Sequence, residues 1–442
     1  MLNAEYRYNG FIGVMLYAFS FRLSTLKYLI MHKHLVVIGG GAAGFFCAIN
    51  AARNNGNLKV TILEKSSKVL SKVKVSGGGR CNVTNVQQDI VELSKCYPRG
   101  EKFLKKAFHW FNTKNTLEWF AERGIAIVAE SDGRMFPASN SSQTIIDCFM
   151  KEINELGIDI RYFTNITKIV QEEQDGNKIF LVGNEEYTLK ADYICIATGG
   201  FIKEKPEWVK SLRLKVIDPL PSLFTFNIPS HPITTLMGVS MKQVTVKIAG
   251  SNYIQKGDIL ITHWGLSGPA VLKLSAYAAI LLAEKKYEFD VVVNWIGISN
   301  VQEISGLLDD QRFSDGKKKV ILSKVFDMPN RLWTFLVQQS KIGEDTNWAD
   351  LKSEHKNKLI QNLHSYTLKV SGKTTFKEEF VTCGGVDLAE IEVNTMQLKS
   401  IPGIFFCGEA LNIDGITGGF NFQNAWTTGW IAAREIGLQS KK

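Results

Sequence analysis

Three glycines at fixed spacing, Gly39-x-Gly41-x-x-Gly44, are the first residues in the chain able to do chemistry. They stand where a short apolar strand, "HLVVIGG", meets a helix, "AAGFFCAINAARNNG", and a second strand, "LKVTILEK", follows. In such a βαβ unit Gly39 permits the tight turn. Gly41 lets bare backbone approach a pyrophosphate, and Gly44 lets the helix pack closely on the sheet. The free amides at Gly41, Ala42 and Ala43, with the roughly +0.5 charge of a helix start, then receive a diphosphate. Glu64, followed by Lys65, ends the second strand, where a carboxylate accepts hydrogen bonds from a ribose hydroxyl. The unit predicts dinucleotide binding.

The βαβ unit alone does not separate FAD from NAD. A further buried strand, "ADYICIATGG", runs straight into Thr198-Gly199-Gly200. Near the C-terminus, "IPGIFFCGEALNIDGITGGFNFQNAWTTGWIAAREIG" predicts a strand over Ile404 to Cys407, then Gly408-Glu409, a glycine-rich loop and a helix from about Phe422 to Ile436. An NAD domain has no use for a returning strand with an acid at its tip. A flavin does, because its ribitol and ring extend well past the first turn. Glu409 is placed to bond the ribitol, and the amides at the start of the last helix, with Gly419, Asn421 and Phe422, to face the flavin or the pyrophosphate. No second G-x-G-x-x-G follows a strand, so no separate nicotinamide domain is expected. FAD is the predicted coenzyme.

A second glycine triplet, in "SGGGRCNVTN", follows the first closely. Together "VIGGGAAG", "SGGGRCNVTN", "DGRMFP", "THWGLSGPAVLKLS", "TCGGV" and "GEALNIDGITGGFNFQNAWTTG" resemble the bacterial BaiN/RdsA-type FAD-dependent oxidoreductases, from about Met31 to Gly437. The resemblance implies that the loop Ser76–Asn82 lies over the cofactor. There Gly77, Gly78 and Gly79 offer backbone amides with no Cβ in the way. Arg80 is expected to bring a cation to the phosphates or the reduced flavin, and Asn82 to bond the ring edge. Ser76, Cys81 and Ile166 complete the expected cofactor shell. Cys81 has no neighbouring cysteine and reads as a structural thiol. The chain departs from the family pattern at Asn412, where an acid is expected, and at Phe420, where tyrosine is usual.

The chain's 442 residues, 45% hydrophobic and 21% charged, describe an ordinary soluble protein of two or three domains. Its 52 Lys and Arg against 43 Asp and Glu give +9, but the lysines are scattered and do not alternate with aromatics. No nucleic-acid partner is therefore expected. Seven cysteines without a C-x-x-C pair fit a reducing cytoplasm rather than a disulfide scaffold, and no metal site is expected. Residues 1–30 are apolar but interrupted by Arg22 and Lys27, so stable membrane insertion is not expected. They read as a non-functional extension before a true start at Met31.

Between Gly200 and Phe380 the pattern changes. Short runs such as "LFTFNI", "KQVTVKIAG", "GDILITH" and "YEFDVVVNWI" predict β structure, and residues 300–365 read as helical before "YTLKVSG" returns to strand. The predicted fold class is α/β: a Rossmann-like FAD-binding domain of glutathione-reductase type, split by an insert with a β-barrel-like and a helical subdomain. The expected boundaries are 31–203 and 378–442 for the FAD domain, 204–299 and 363–377 for the β-rich insert, and 300–362 for the helical piece. In the insert, Ser267 is expected to cap the helix "AVLKLSAYAAILLAE"; His263 reads either as a packed histidine or as a proton donor beside the flavin, and Arg134 of "DGRMFP" either as a turn-stabilising arginine or as the anchor of a substrate carboxylate.

The expected activity is hydride transfer from NAD(P)H through FAD to a small organic acceptor, a conjugated C=C or a ketone. The rivals are a flavin-free NAD-dependent dehydrogenase, an FAD-dependent RNA-modifying or RNA-binding protein, and a flavin sensor without turnover.

Overall fold

The apolar run His34–Ile38 forms strand β1 with all five residues buried. A computed structural model describes residues 32–174, 176–201, 205–374 and 381–441; the N-terminal extension and Met31 lie outside the described residues. Gly39 turns the chain at φ +112 into helix α1 (Ala42–Asn54), and strand β2 (Lys59–Leu63) returns beside β1 in parallel. Strands β3 (Asp159–Arg161) and β4 (Tyr193–Ile196) join on either side, β3 on β2 and β4 on β1. The first triplet therefore lies where the strand order changes direction. In open α/β sheets this is where ligands bind.

The chain then leaves through strand β5 (Val216–Ser222). It builds an antiparallel sheet from β6 (Thr225–Asn227), β7 (Ser240–Ile248), β8 (Ile254–Ile261) and β9 (Gly265–Ser267). Helix α2 (Pro269–Tyr277) follows and breaks at Ala278, so the predicted single helix is two short ones. Its cap is Gly268, at φ +98, and not Ser267; a side chain at position 268 would meet the Asp258 carbonyl at 2.8 Å. Strand β10 (Glu288–Asn294) precedes helices α3 (Val301–Ser314), α4 (Asn330–Gln339) and α5 (Ser353–His364). The predicted helical run "VILSKVF" supplies only a short turn, Val320–Leu322.

Strands β11 (Tyr366–Ser371) and β12 (Lys373–Thr374) close the insert. The sheet order is β11-β10-β7-β8-β9-β6-β12. Its two outermost strands are joined through Gly372 alone, so the sheet curls round on itself. The helices and the inner face of this sheet share one apolar cluster, which includes Trp295 and Trp348, both fully buried.

Strand β13 (Val381–Val386) pairs antiparallel with β5, so the outgoing and returning chains run as a two-stranded ribbon. The sequence reading missed this ribbon. Strands β14 (Ile391–Glu392), β15 (Gln397–Leu398) and β16 (Ile404–Phe406) then complete the first sheet in the order β14-β15-β16-β4-β1-β2-β3. The last helix, α6 (Phe420–Gln439), starts two residues before the predicted position and lies across α1. Gly429 allows the close approach, since a Cβ there would lie 2.9 Å from the Ala43 carbonyl oxygen. Under the crossing, Phe46 packs against Trp119 and Trp426 with ring centroids 4.7 and 5.2 Å away. Each such ring contributes roughly 1.5–3 kcal/mol by burial.

Candidate functional site

The loops leaving β1, β2, β4 and β16 open into one cavity of about 720 Å³. Its floor is the first triplet. Gly39 donates its N–H to the Leu63 carbonyl at 2.8 Å and lies so close to the next loop that a Cβ would meet the Ala197 carbonyl at 2.4 Å. Gly44 is sealed beneath, where a Cβ would meet the Gly39 carbonyl at 2.1 Å. Gly41 differs. It caps α1 without a side-chain partner, and nothing stands within 4 Å of a Cβ built there. The first amides of α1 therefore face open space in the cavity.

Glu64 lines the same wall. Its carboxylate accepts N–H bonds from Gly40 at 2.9 Å and Ser66 at 2.8 Å, which fixes its direction. Lys65 and Lys68 stand beside it. Glu409, also on the wall, accepts from the Thr382 N–H at 2.8 Å and from Lys72 at 2.6 Å. Gly408 is held by its N–H bond to the Thr428 hydroxyl at 2.8 Å, and Thr198 and Gly199 enter from β4.

The second triplet forms the roof. Gly77, Gly78 and Gly79 take φ of +58, +69 and +84, a left-handed run that side chains resist. At Gly77 a Cβ would also strike the Phe136 ring at 2.9 Å. Ser76, Gly77, Gly78 and Asn82 line the cavity. Asn82 accepts the Met135 N–H at 3.2 Å.

Several predicted residues do not line it. Gly79 is exposed, Cys81 and Ile166 are buried, and none of the three is on the cavity wall. Burial pushes the Cys81 thiol up to about 12, which leaves it protonated and inert. Arg80 turns away and pairs with Glu130 at 2.5 Å, its guanidinium 4.0 Å from the Phe136 ring centre. His263 is exposed, edge-on to Trp264 at 4.3 Å, and also outside the cavity wall. The arginine that does line the wall is Arg134, held by Asp132 at 2.7 Å and by the same Glu130 at 2.9 Å. Glu130 lies 50 positions from Arg80, so no local pattern announced the link.

The glycine-rich loop before α6 closes the site. Gly419 caps the helix at φ +91, and a Cβ there would meet the Thr84 carbonyl at 2.4 Å. The Asn421 carboxamide binds both backbone groups of Gly415 at 2.8 and 2.9 Å, so it shapes the loop with its side chain. Phe422 stacks on Trp426 and lines the cavity. Asp414, fully buried, pairs with Arg99 Nε at 2.6 Å and accepts from the Ser222 hydroxyl at 2.7 Å. Burial pushes this carboxyl up while Arg99 draws it back down. Arg99 also donates to the Ala276 carbonyl at 2.5 Å, tying the loop to α2 of the insert. Phe420 receives a bond from the Tyr97 hydroxyl at its backbone carbonyl, 2.7 Å, and the Asn412 Oδ1 is buried without a partner among the described residues.

The insert side of the cavity presents Leu223, Thr225, Ser267, Leu272 and Thr374. Thr225, Thr374 and Leu272 were not singled out in the sequence, because nothing local marks them as facing a cavity made by a distant domain. A long coenzyme fits this space on three observations: a helix start with free amides, a Gly41 surface with room above it, and two wall acids, Glu64 and Glu409, each fixed by its own hydrogen bonds.

The family model described as "HI0933-like protein Rossmann domain" matches residues 33–435. The chain is 28% identical over 411 residues to the ribosomal RNA dihydrouridine synthase of Escherichia coli K12, covering 91% of this chain and 97% of that protein. It is 27% identical over 413 residues to the 3-dehydro-bile acid delta(4,6)-reductase of Clostridium scindens, covering 90% and 97%. Among solved structures it is similar to a 3-ketosteroid-delta4-(5alpha)-dehydrogenase from Rhodococcus jostii RHA1, with 12% identity, a TM-score of 0.47 and coverage of 94% and 99%. The chain belongs to the HI0933-like Rossmann family, the BaiN/RdsA-type FAD-dependent oxidoreductases that its glycine motifs resemble.

Proposed function

We propose that this protein is a reductase that uses FAD to add a hydride and a proton across a carbon–carbon double bond conjugated to a carbonyl, with NAD(P)H as the hydride source. The observation that carries the reading is the shared wall. One cavity is lined by the diphosphate turn, the second glycine loop, Glu409, the start of α6 and the insert. The two relatives' names support it, since a dihydrouridine and a delta(4,6)-reduced bile acid both arise by saturating such a bond.

In this reading the Gly41–Ala43 amides hold the diphosphate, Glu64 a ribose and Glu409 the ribitol. FAD, when bound, supplies two-electron hydride transfer. The remaining work belongs to the protein. The acceptor's β-carbon takes the hydride, so negative charge develops on the carbonyl oxygen until the α-carbon takes a proton from water. Arg134, pre-set by Glu130 and Asp132, is the arginine on the cavity wall and stabilises that oxygen. Leu223 and Leu272 give the acceptor an apolar bed, and Thr225, Ser267 and Thr374 give it hydroxyls.

A second reading places the double bond in a uracil ring of RNA. The net charge of +9 and the RNA-acting relative favour it. One experiment separates the two. The reduced protein is offered a panel of small cyclic enones and purified ribosomal RNA, and flavin reoxidation is followed anaerobically. Reoxidation by enones alone supports the small-molecule reading. Reoxidation by RNA alone, with dihydrouridine formed, replaces it. No reoxidation by either removes the reductase assignment.

A further inference from the structure

Asn424 is 2% exposed, lines the cavity, and buries its Oδ1 without a hydrogen-bond partner among the described residues. Leaving such a group unbonded costs about 1–3 kcal/mol, so a buried orphan needs a reason. The sequence reading singled out Gly419, Asn421 and Phe422 in this segment and passed over Asn424.

Its position is well fixed. It sits one turn before Thr428 in α6, and the Thr428 hydroxyl donates to the Asn424 carbonyl at 2.6 Å while accepting from Gly408 N–H at 2.8 Å. Gly408 in turn approaches α1 so closely that a Cβ there would lie 2.7 Å from that of Ala43. Asn424 is therefore linked through Thr428 to Gly408, which itself adjoins the turn proposed for the diphosphate, and it shares the cavity wall with both segments. A carboxamide is suited to that junction. Its Nδ2 donates to a phosphate oxygen, and its Oδ1 accepts from a ribityl hydroxyl.

We infer that the Asn424 side chain is a ligand of the coenzyme, binding it where the diphosphate joins the ribityl chain. This rests on the FAD assignment. The helix start alone would not carry it; the orphaned carboxamide oxygen of a buried residue on the cavity wall does.

The test is a titration of the full-length apoprotein with FAD and with riboflavin, which lacks phosphate, followed by flavin fluorescence. Asn424→Leu keeps the volume and removes both hydrogen bonds, and Asn424→Asp sets a carboxylate beside the phosphates. Melting of each apoprotein is measured in parallel. The inference predicts that apo Asn424→Leu melts at or above the wild-type temperature, while its FAD affinity falls about tenfold to a hundredfold. Asn424→Asp should weaken FAD further than Asn424→Leu, but weaken riboflavin no more than Asn424→Leu does. If Asn424→Leu does not fold, Asn424→Ser, too short to bridge the same gap, is expected to show the same loss.

Wild-type affinity for FAD in a folded Asn424→Leu or Asn424→Ser overturns the inference, and so does equal destabilisation of the apo and loaded forms. A wild-type protein that takes up no FAD at all overturns the coenzyme assignment instead, and this inference with it.

Discussion

Lys72 and Glu409 stand 337 positions apart and meet in a 2.6 Å ion pair on the wall of one cavity. The pair links the segment before the second glycine triplet to the loop after the last parallel strand. Lys72 is half-exposed, so the pair itself adds little to stability, at most about 1 kcal/mol. The value of Glu409 must lie elsewhere if it binds the ribitol. Glu409→Gln should shift the melting transition only slightly and weaken FAD about tenfold. Fluorescence titration of the apoprotein checks this, and an unchanged dissociation constant would remove Glu409 from the coenzyme site.

The three glycines of the first motif do different work, and two substitutions separate them. Gly44→Ala forces a methyl against the Gly39 carbonyl at 2.1 Å, and backbone has to move. The expected cost is about 1–3 kcal/mol of stability, read by chemical denaturation. A Cβ at Gly41, by contrast, meets nothing within 4 Å in the protein, and Gly41→Val puts its methyls into that open space. It should fold with near wild-type stability yet fail to retain FAD, because the side chain fills the space above the helix start.

Arg134 and Arg80 share Glu130, but only Arg134 lines the cavity. Arg134→Met should leave FAD bound and lower kcat/KM for the acceptor by roughly 10- to 100-fold, the loss of one charged hydrogen bond. Arg80→Met should have a smaller effect, exerted through the freed Glu130. Steady-state kinetics with both variants decides. A larger loss from Arg80→Met would return the catalytic cation to Arg80.

His34 begins β1 with both ring nitrogens engaged, by the Lys190 carbonyl at 2.8 Å and the Thr61 hydroxyl at 3.0 Å. Burial holds its pKa below the usual 6.5. The unfolded chain therefore binds a proton before the folded one does as pH falls. Above the unfolded value both states are neutral and nothing is lost; below it, stability drops until the folded value is reached. The slope is at most about 1.4 kcal/mol per pH unit. Melting curves between about pH 7 and 5 should show this loss, and His34→Gln should flatten it.

Much of this architecture was written locally. The alternation of apolar strand, glycine turn and helix around Gly39 and Gly408 reads directly, because each signal lies within a few residues. The β5 strand did not read as one, since "VIDPLPS" carries Pro219 and Pro221, residues that ordinarily argue against a strand. They fit a two-stranded ribbon, which also skips register between Ile217 and Leu220. The direction of Arg80 and the exposure of His263 depended on partners far along the chain or on their absence, and no spacing rule reports either. Asn424 was missed because its helical position resembles that of any core residue.

The most direct test is the absorbance spectrum of the purified full-length protein, followed by anaerobic addition of NADH and of NADPH. The account predicts bands near about 375 and 450 nm, and bleaching of the longer-wavelength band by one of the two nicotinamides. A protein that stays colourless after incubation with excess FAD would contradict it.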